Sequence, residues 1–117
     1  MGGRLIKIAG TVSKYRAQRT TLDGITFASK AEATRYAELS LMQKAGVIFD
    51  LQVQPRFPLL VDGHNVGQYI ADFRYRDAST GMSRVEDVKS PSTRTAVYRL
   101  KLKLVKALYG VDVVEIM

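Results

Sequence analysis

The sequence predicts an α/β fold: a helix, three or four strands, a second helix and a closing strand. Three observations carry the prediction. A capping-box spacing, Ser29-Lys30-Ala31-Glu32, precedes apolar residues at helical intervals. The turn formers Asp77-Ala78-Ser79-Thr80-Gly81 separate two segments suited to a hairpin. After Ser90-Pro91-Ser92-Thr93 a second helical periodicity runs to Gly110, and the β-branched stretch Val111 to Ile116 follows.

From Met1 to Thr21 the chain holds Arg4, Lys7, Lys14, Arg16 and Arg19 without an acidic residue, interrupted by Gly2, Gly3 and Gly10. Residues 1–26 therefore read as a flexible basic arm, suited to following a phosphate backbone or to keeping the protein dissolved. The rest, 27–117, reads as one domain. Ala33, Tyr36, Ala37, Leu39, Leu41 and Met42 mark the apolar positions of the first helix, which Gly46 ends. Phe49, Leu51 and Val53 alternate with Asp50, Gln52 and Gln54 in a half-buried strand. Pro55 and Pro58 make Phe57 to Val61 an edge strand or extended linker, turning at Asp62-Gly63. Single strands are expected over Gln68 to Arg76 and Ser83 to Lys89. The last helix turns Val97, Leu100, Leu104, Val105 and Leu108 inward, leaving Arg99, Lys103 and Lys106 as a basic stripe.

A chain of 117 residues with 46% hydrophobic and 25% charged residues has the composition of a folded domain. Its 18 basic and 11 acidic residues leave a net charge of +7, which favours a polyanionic partner, nucleic acid first. Without cysteine, disulfides, thiolate metal sites and cysteine nucleophiles are excluded, and oxygen ligands must carry any metal chemistry. No apolar run approaches the roughly 20 residues that span a bilayer, so no membrane is expected and a cytoplasmic location is. Glycine-rich phosphate loops and dinucleotide fingerprints are missing, which argues against a nucleotide cofactor.

Alternation puts Ile70, Asp72 and Arg74 on one face of the first hairpin strand and Val85, Asp87 and Lys89 on one face of the second. With Ser79 and Thr80 at the tip, Asp72 stands opposite Asp87, and two like charges so placed repel. A one-residue slip brings Asp72 near Glu86 instead, so a local excess of carboxylate survives either register. A hard divalent cation such as magnesium relieves that repulsion and polarises a phosphodiester, with Lys89 placed to stabilise charge developing on phosphorus. Each residue also has a plainer role. Asp-Val-Lys in a strand is commonly a solvated face, Glu32 completes a capping box, and His64 sits in the polar turn Asp62-Gly63-His64-Asn65.

The order of these residues, Glu on a helix, Asp on a strand, acid-x-Lys on the next strand and then a helix, resembles the PD-(D/E)XK nuclease superfamily. The segments Phe27-Ala28-Ser29-Lys30-Ala31-Glu32-Ala33, Gln54-Pro55-Arg56-Phe57, Tyr69-Ile70-Ala71-Asp72-Phe73 and Val85-Glu86-Asp87-Val88-Lys89 resemble a phage-encoded, endonuclease-like or Holliday junction resolvase-like family within it. Tyr98-Arg99-Leu100-Lys101 and Ala107-Leu108-Tyr109-Gly110 continue the likeness. Ala71 stands where the motif has its proline, and Ser90 where such families often have glycine.

The resemblance implies a restriction-endonuclease-like core, a mixed sheet of four to five strands flanked by helices in the order α-β-β-β-α-β. It implies a catalytic set of Glu32, Asp72, Asp87 and Lys89, with Asp72, Asp87 and Glu32 as ligands of Mg2+ or Mn2+. It further implies a homodimer acting on branched duplex DNA in a bacterial host cell, encoded by a phage or prophage. Candidate phosphate contacts are Lys14, Arg16, Arg19, Lys30, Arg99, Lys101, Lys103 and Lys106. The alternatives are a non-catalytic basic DNA-binding module on the same scaffold, and a dimeric structural protein whose hairpin carboxylates are surface charge.

Overall fold

Eight strands, two α-helices and a short 3-10 helix at Pro91–Thr93 follow one another over the described residues, 18–117 of the computed structural model. Thr20–Leu22 (β1) and Ile25–Phe27 (β2) form an antiparallel hairpin across Asp23-Gly24, both at positive φ. Part of the stretch read as a flexible arm is thus paired backbone. Lys14 and Arg16 lie outside the described residues, and Arg19 is exposed just before β1.

Helix α1, Lys30–Lys44, begins where the capping-box spacing places it. Ser29 Oγ accepts the Glu32 backbone N–H at 3.2 Å and donates its own proton to Glu32 Oε2 at 3.1 Å. Gly46, at φ 79°, ends the helix in the left-handed region that costs glycine least. The chain divides into two compact units, the division falling between Thr34 and Arg35.

The second unit holds Ile48–Val53 (β3), Arg56–Val61 (β4), His64–Ile70 (β5), Phe73–Asp77 (β6), Ser83–Val88 (β7), helix α2 over Ala96–Tyr109, and Val113–Ile116 (β8). A mixed sheet has the order β3-β6-β7-β8, antiparallel except for the parallel β7–β8 pair, which α2 connects. β4 and β5 form a separate antiparallel hairpin. One core cluster gathers Phe57, Leu59, Tyr69, Ala71, Val85, Tyr98 and Val105 from the hairpin, β7 and α2. On the other sheet face Tyr36 of α1 stacks on Phe73 with ring centroids 6.5 Å apart.

Three expectations need correction. The single strand over Gln68 to Arg76 is two strands, β5 and β6, in different sheets, broken at Ala71-Asp72. Side chains add to the backbone bonds there: the Asp72 N–H is shared between Glu86 O at 3.1 Å and Asp87 Oδ1 at 2.9 Å, and Asp72 Oδ2 takes the Val88 N–H at 2.7 Å. β3 does not alternate as read. Its register with β6 shifts between Phe49 and Gln52, Asp50 has φ 56°, and so Ile48 is buried while Phe49 is 41% exposed. On α2 the buried residues are Tyr98 and Val105, with Leu102 and Leu104 partly buried, while Val97, Leu100 and Leu108 are exposed. The inward face is rotated toward the tyrosine because its ring fills more core volume than the leucines and its hydroxyl finds a carboxylate.

Candidate active site

The turn that sets the hairpin register is built by Asp77. Its Oδ1 accepts the Ser79 N–H at 2.8 Å, the Ser79 hydroxyl at 2.6 Å and the Thr80 N–H at 3.2 Å, which holds its carboxyl below the usual range. With that turn fixed, Phe73 pairs with Glu86, so continuing the register sets Asp72 opposite Asp87 as the spacing predicts.

Each carboxyl is tied to the other residue's stretch of backbone, Asp87 Oδ1 by the Asp72 N–H and Asp72 Oδ2 by the Val88 N–H. Burial and the Asp87 charge push the Asp72 carboxyl up to about 6, while the Val88 N–H and Lys89 pull it down. Burial also raises Asp87, against the opposing pull of the Tyr69 hydroxyl and Lys89. Asp87 itself is 2% exposed. Tyr69 donates to Asp87 Oδ2, and burial and the Asp87 charge raise its own ionisation so far that it remains a donor. Two neighbouring carboxylates, one buried and one half-buried, resist simultaneous ionisation unless a proton or a cation lies between them.

Lys89 follows β7, its N–H bonded to Ile116 O at 2.8 Å, and its Nζ lies 4.3 Å from the centroid of the Tyr98 ring. Tyr98 is held in turn: its hydroxyl donates to Glu115 Oε2 at 2.8 Å, and Arg94 Nε donates to both Glu115 oxygens at 3.0 and 2.9 Å. The Arg94 bond holds the Glu115 carboxyl below its usual range. Glu115 is the β8 partner of Asp87 in the parallel register, so the sheet itself places the two acids side by side. Tyr69, Asp87, Lys89, Tyr98 and Lys101 share an open cleft of about 400 Å³.

Glu86 points the other way. It is 2% exposed on the α1 face, where Arg35 Nε and Nη2 reach its two oxygens at 2.8 and 2.7 Å and the Tyr75 hydroxyl donates at 2.5 Å. It is therefore a structural anion with charge-assisted partners rather than a third member of the acid pair. Glu32 belongs to the other compact unit and bonds Ser29 in the first turn of α1.

Among the described residues no group of three or more His, Cys, Asp or Glu side chains gathers to hold a metal ion. Asp72 and Asp87 alone are a chemically suitable donor set for magnesium, which takes one or two carboxylates and fills its shell with water and substrate oxygens. Each carboxylate oxygen has two lone pairs, so the hydrogen bonds found leave donor capacity.

Of the basic candidates, Lys101 lines the cleft, Arg99 and Lys103 are exposed on α2, and Lys106 pairs with Asp112 at 2.8 Å. Lys30 is exposed at the start of α1, and His64 is exposed at the start of β5. No site role is legible in the sequence for Tyr69, Tyr98 or Glu115. The available signal for Glu115 was an acid between the β-branched residues Val114 and Ile116, and for the tyrosines their hydroxyls, which need partners once buried.

No helix among the described residues is long and apolar enough to cross a membrane. No curated protein and no solved structure matches the chain. A family model described as protein of unknown function (DUF1064) matches residues 12–114. Extending over both helices and all but the last residues of β8, that match makes the chain a member of the DUF1064 family.

Proposed function

We propose that the protein is a divalent-metal-dependent DNA endonuclease with a restriction-endonuclease-like core. The reading rests on one observation above the others: the half-buried Asp72 and the buried Asp87 meet as an acid pair, with Lys89 two residues beyond Asp87 and lining the same cleft as Asp87. Surface carboxylates have no reason to accept such burial. A substrate-binding pair does, because its repulsion is relieved when a cation and a phosphodiester arrive.

Asp72 and Asp87 would hold a magnesium or manganese ion, which when bound would supply Lewis acidity to polarise the phosphodiester and lower the pKa of water. The chain's own residues do the rest. Asp72 and Asp87 present oxygens fixed by backbone N–H groups and by Tyr69. Lys89, lodged against Tyr98, offers its ammonium to the charge that grows on the phosphate oxygens. The net charge of +7 draws the polyanion in. Glu32 as a further ligand, branched duplex as the preferred substrate, a homodimer and a phage origin in a bacterial cytoplasm belong to this reading through the nuclease resemblance.

The test is cleavage of a labelled four-way junction and its matched linear duplex, with magnesium, with EDTA and with Asp87→Ala. Metal-dependent cutting abolished by the substitution is expected, with the junction cut faster. Salt-sensitive binding without cutting under any divalent metal would sink the reading and leave a DNA-binding module.

A further inference from the structure

We propose that Arg74 and Arg76, with Gln52 and Ser83, form a phosphate subsite for a nucleic-acid strand on the sheet face that carries Asp87. The proposal rests on the nuclease reading for the path of the strand and adds binding residues to it.

Directly opposed residues share a sheet face. Arg74 lies opposite Val85 on β7 and Gln52 on β3, and Arg76 opposite Ser83 and Phe49. Val85 belongs to the core cluster with Tyr69, and Asp87, two residues along the same strand, is bonded by Tyr69. The two arginines therefore continue the face of the acid pair toward the hairpin turn. At roughly 3.3 Å per residue their Cα atoms stand roughly 6.6 Å apart, which lets two guanidinium groups follow successive phosphates of one strand.

An open recess of about 210 Å³ lies here, lined by Asp50, Gln52, Arg74, Tyr75, Arg76 and Ser83. The β3 bulge borders it, where the register shifts and Asp50 takes φ 56° on the edge strand. Neither arginine takes part in the four ion pairs found among the described residues. Each meets only neutral acceptors: Arg74 Nε donates to Ser83 Oγ at 3.4 Å, and Arg76 Nη1 to Gly81 O at 2.9 Å. The Arg74 guanidinium also lies 5.8 Å from the centroid of the Phe57 ring, which steadies it. A guanidinium carries five N–H donors, so each keeps a fork free for a phosphate, the anion it grips in bidentate fashion. Asp50 is the one carboxylate in the lining, and two guanidinium groups outweigh it. The ligand class is the phosphodiester backbone, held without reading base identity.

The experiment is fluorescence anisotropy of a labelled DNA duplex in EDTA across a salt series, with inorganic phosphate alone as a competitor. Wild type is compared with R74Q/R76Q and with K44Q/R84Q, a control that removes the same charge from an exposed helix end and the opposite sheet face. R74Q/R76Q is expected to lose at least tenfold in affinity near 0.1 M salt, and about two from the slope of log K against log salt, with the control within threefold of wild type. Asp50→Asn is expected to tighten binding. Millimolar inorganic phosphate is expected to leave duplex binding intact, because one phosphate engages a single fork.

Equal affinity and slope for R74Q/R76Q and the control, or no DNA binding by the wild type, would overturn the subsite. If the double variant melts early, R76Q replaces it, with a slope change of about one expected and an unchanged slope decisive against the subsite. Cutting is absent in EDTA, so a wild type that binds here yet never cleaves with magnesium refutes the nuclease reading alone.

Discussion

Asp72 and Asp87 each cap the strand of the other: Asp87 Oδ1 accepts the Asp72 N–H at 2.9 Å, and Asp72 Oδ2 accepts the Val88 N–H at 2.7 Å. Both carboxylates are thereby fixed at the point where the backbone leaves one sheet for another.

Burial beside a second carboxyl, which outweighs the opposing pull of the Val88 N–H, makes stability depend on pH. The Asp72 carboxyl is raised from 3.8 to about 6, so the stability it contributes is full below pH 3.8 and is lost as the pH rises through about 6. Without metal, the wild type should lose up to about 3 kcal/mol from this group between pH 4 and pH 8, at 1.36 kcal/mol per pH unit. Asp72→Asn, which keeps an acceptor for Val88, should remove that loss and be the more stable protein at pH 8. Urea denaturation of both in EDTA at the two pH values checks it, and the difference between them cancels Asp77 and Glu115, whose depressed carboxyls act in the opposite direction.

Divalent metal should reverse the penalty. Millimolar magnesium or manganese is expected to raise the melting temperature of the wild type at pH 8, and to leave Asp87→Asn unmoved. Thermal melts with and without metal decide it, and an identical shift in both proteins would place the ion elsewhere.

Lys89 and Tyr98 divide chemistry from positioning. Lys89→Met should cost on the order of a hundredfold in kcat with the fold intact, the size of one lost charge-stabilising donor. Tyr98→Phe keeps the ring beside Lys89 and gives up the Glu115 bond, for about 1 kcal/mol of stability. Tyr98→Leu loses the ring as well and should fall further in kcat than Phe at similar KM. Equal kcat for Phe and Leu would refute the role of the ring.

Arg35→Ala leaves Glu86 buried with only the Tyr75 hydroxyl. It should destabilise the protein by about 3–5 kcal/mol, as breaking a buried pair from one side does. Glu86→Gln in the Arg35→Ala background should recover part of the loss, read from urea midpoints.

What the sequence disclosed follows from short-range chemistry. The ends of α1 and α2 were legible because Ser29, Gly46 and Gly110 act on backbone groups within a turn of themselves. That Asp72 meets a carboxylate across the hairpin was legible from the five turn residues, though they left Asp87 and Glu86 both open as its partner. Less was visible where a side chain acts across space. A period of two runs unbroken through Ala71-Asp72, and the partners that hold the break, Asp87 and Val88, lie on another strand. Asp50 gives no local sign of a bulge, since β-branched and apolar neighbours hide it. Glu86 seemed interchangeable with Asp87 by composition, yet alternation sends it to α1 and Arg35.

The parallel strand β8 has a consequence for the order of events during synthesis. The acid pair is complete in the chain once β7 has been made, but its surroundings are not. Glu115, which holds the Tyr98 ring beside Lys89, and Ile116, whose carbonyl anchors the Lys89 backbone, come after all of α2. A nascent chain that has reached only α2 exposes two carboxylates and a lysine without the strand that orients them. The site therefore matures only after α2, as β8 docks against β7, and a nascent chain that stops short of Val113 carries no organised acid cleft.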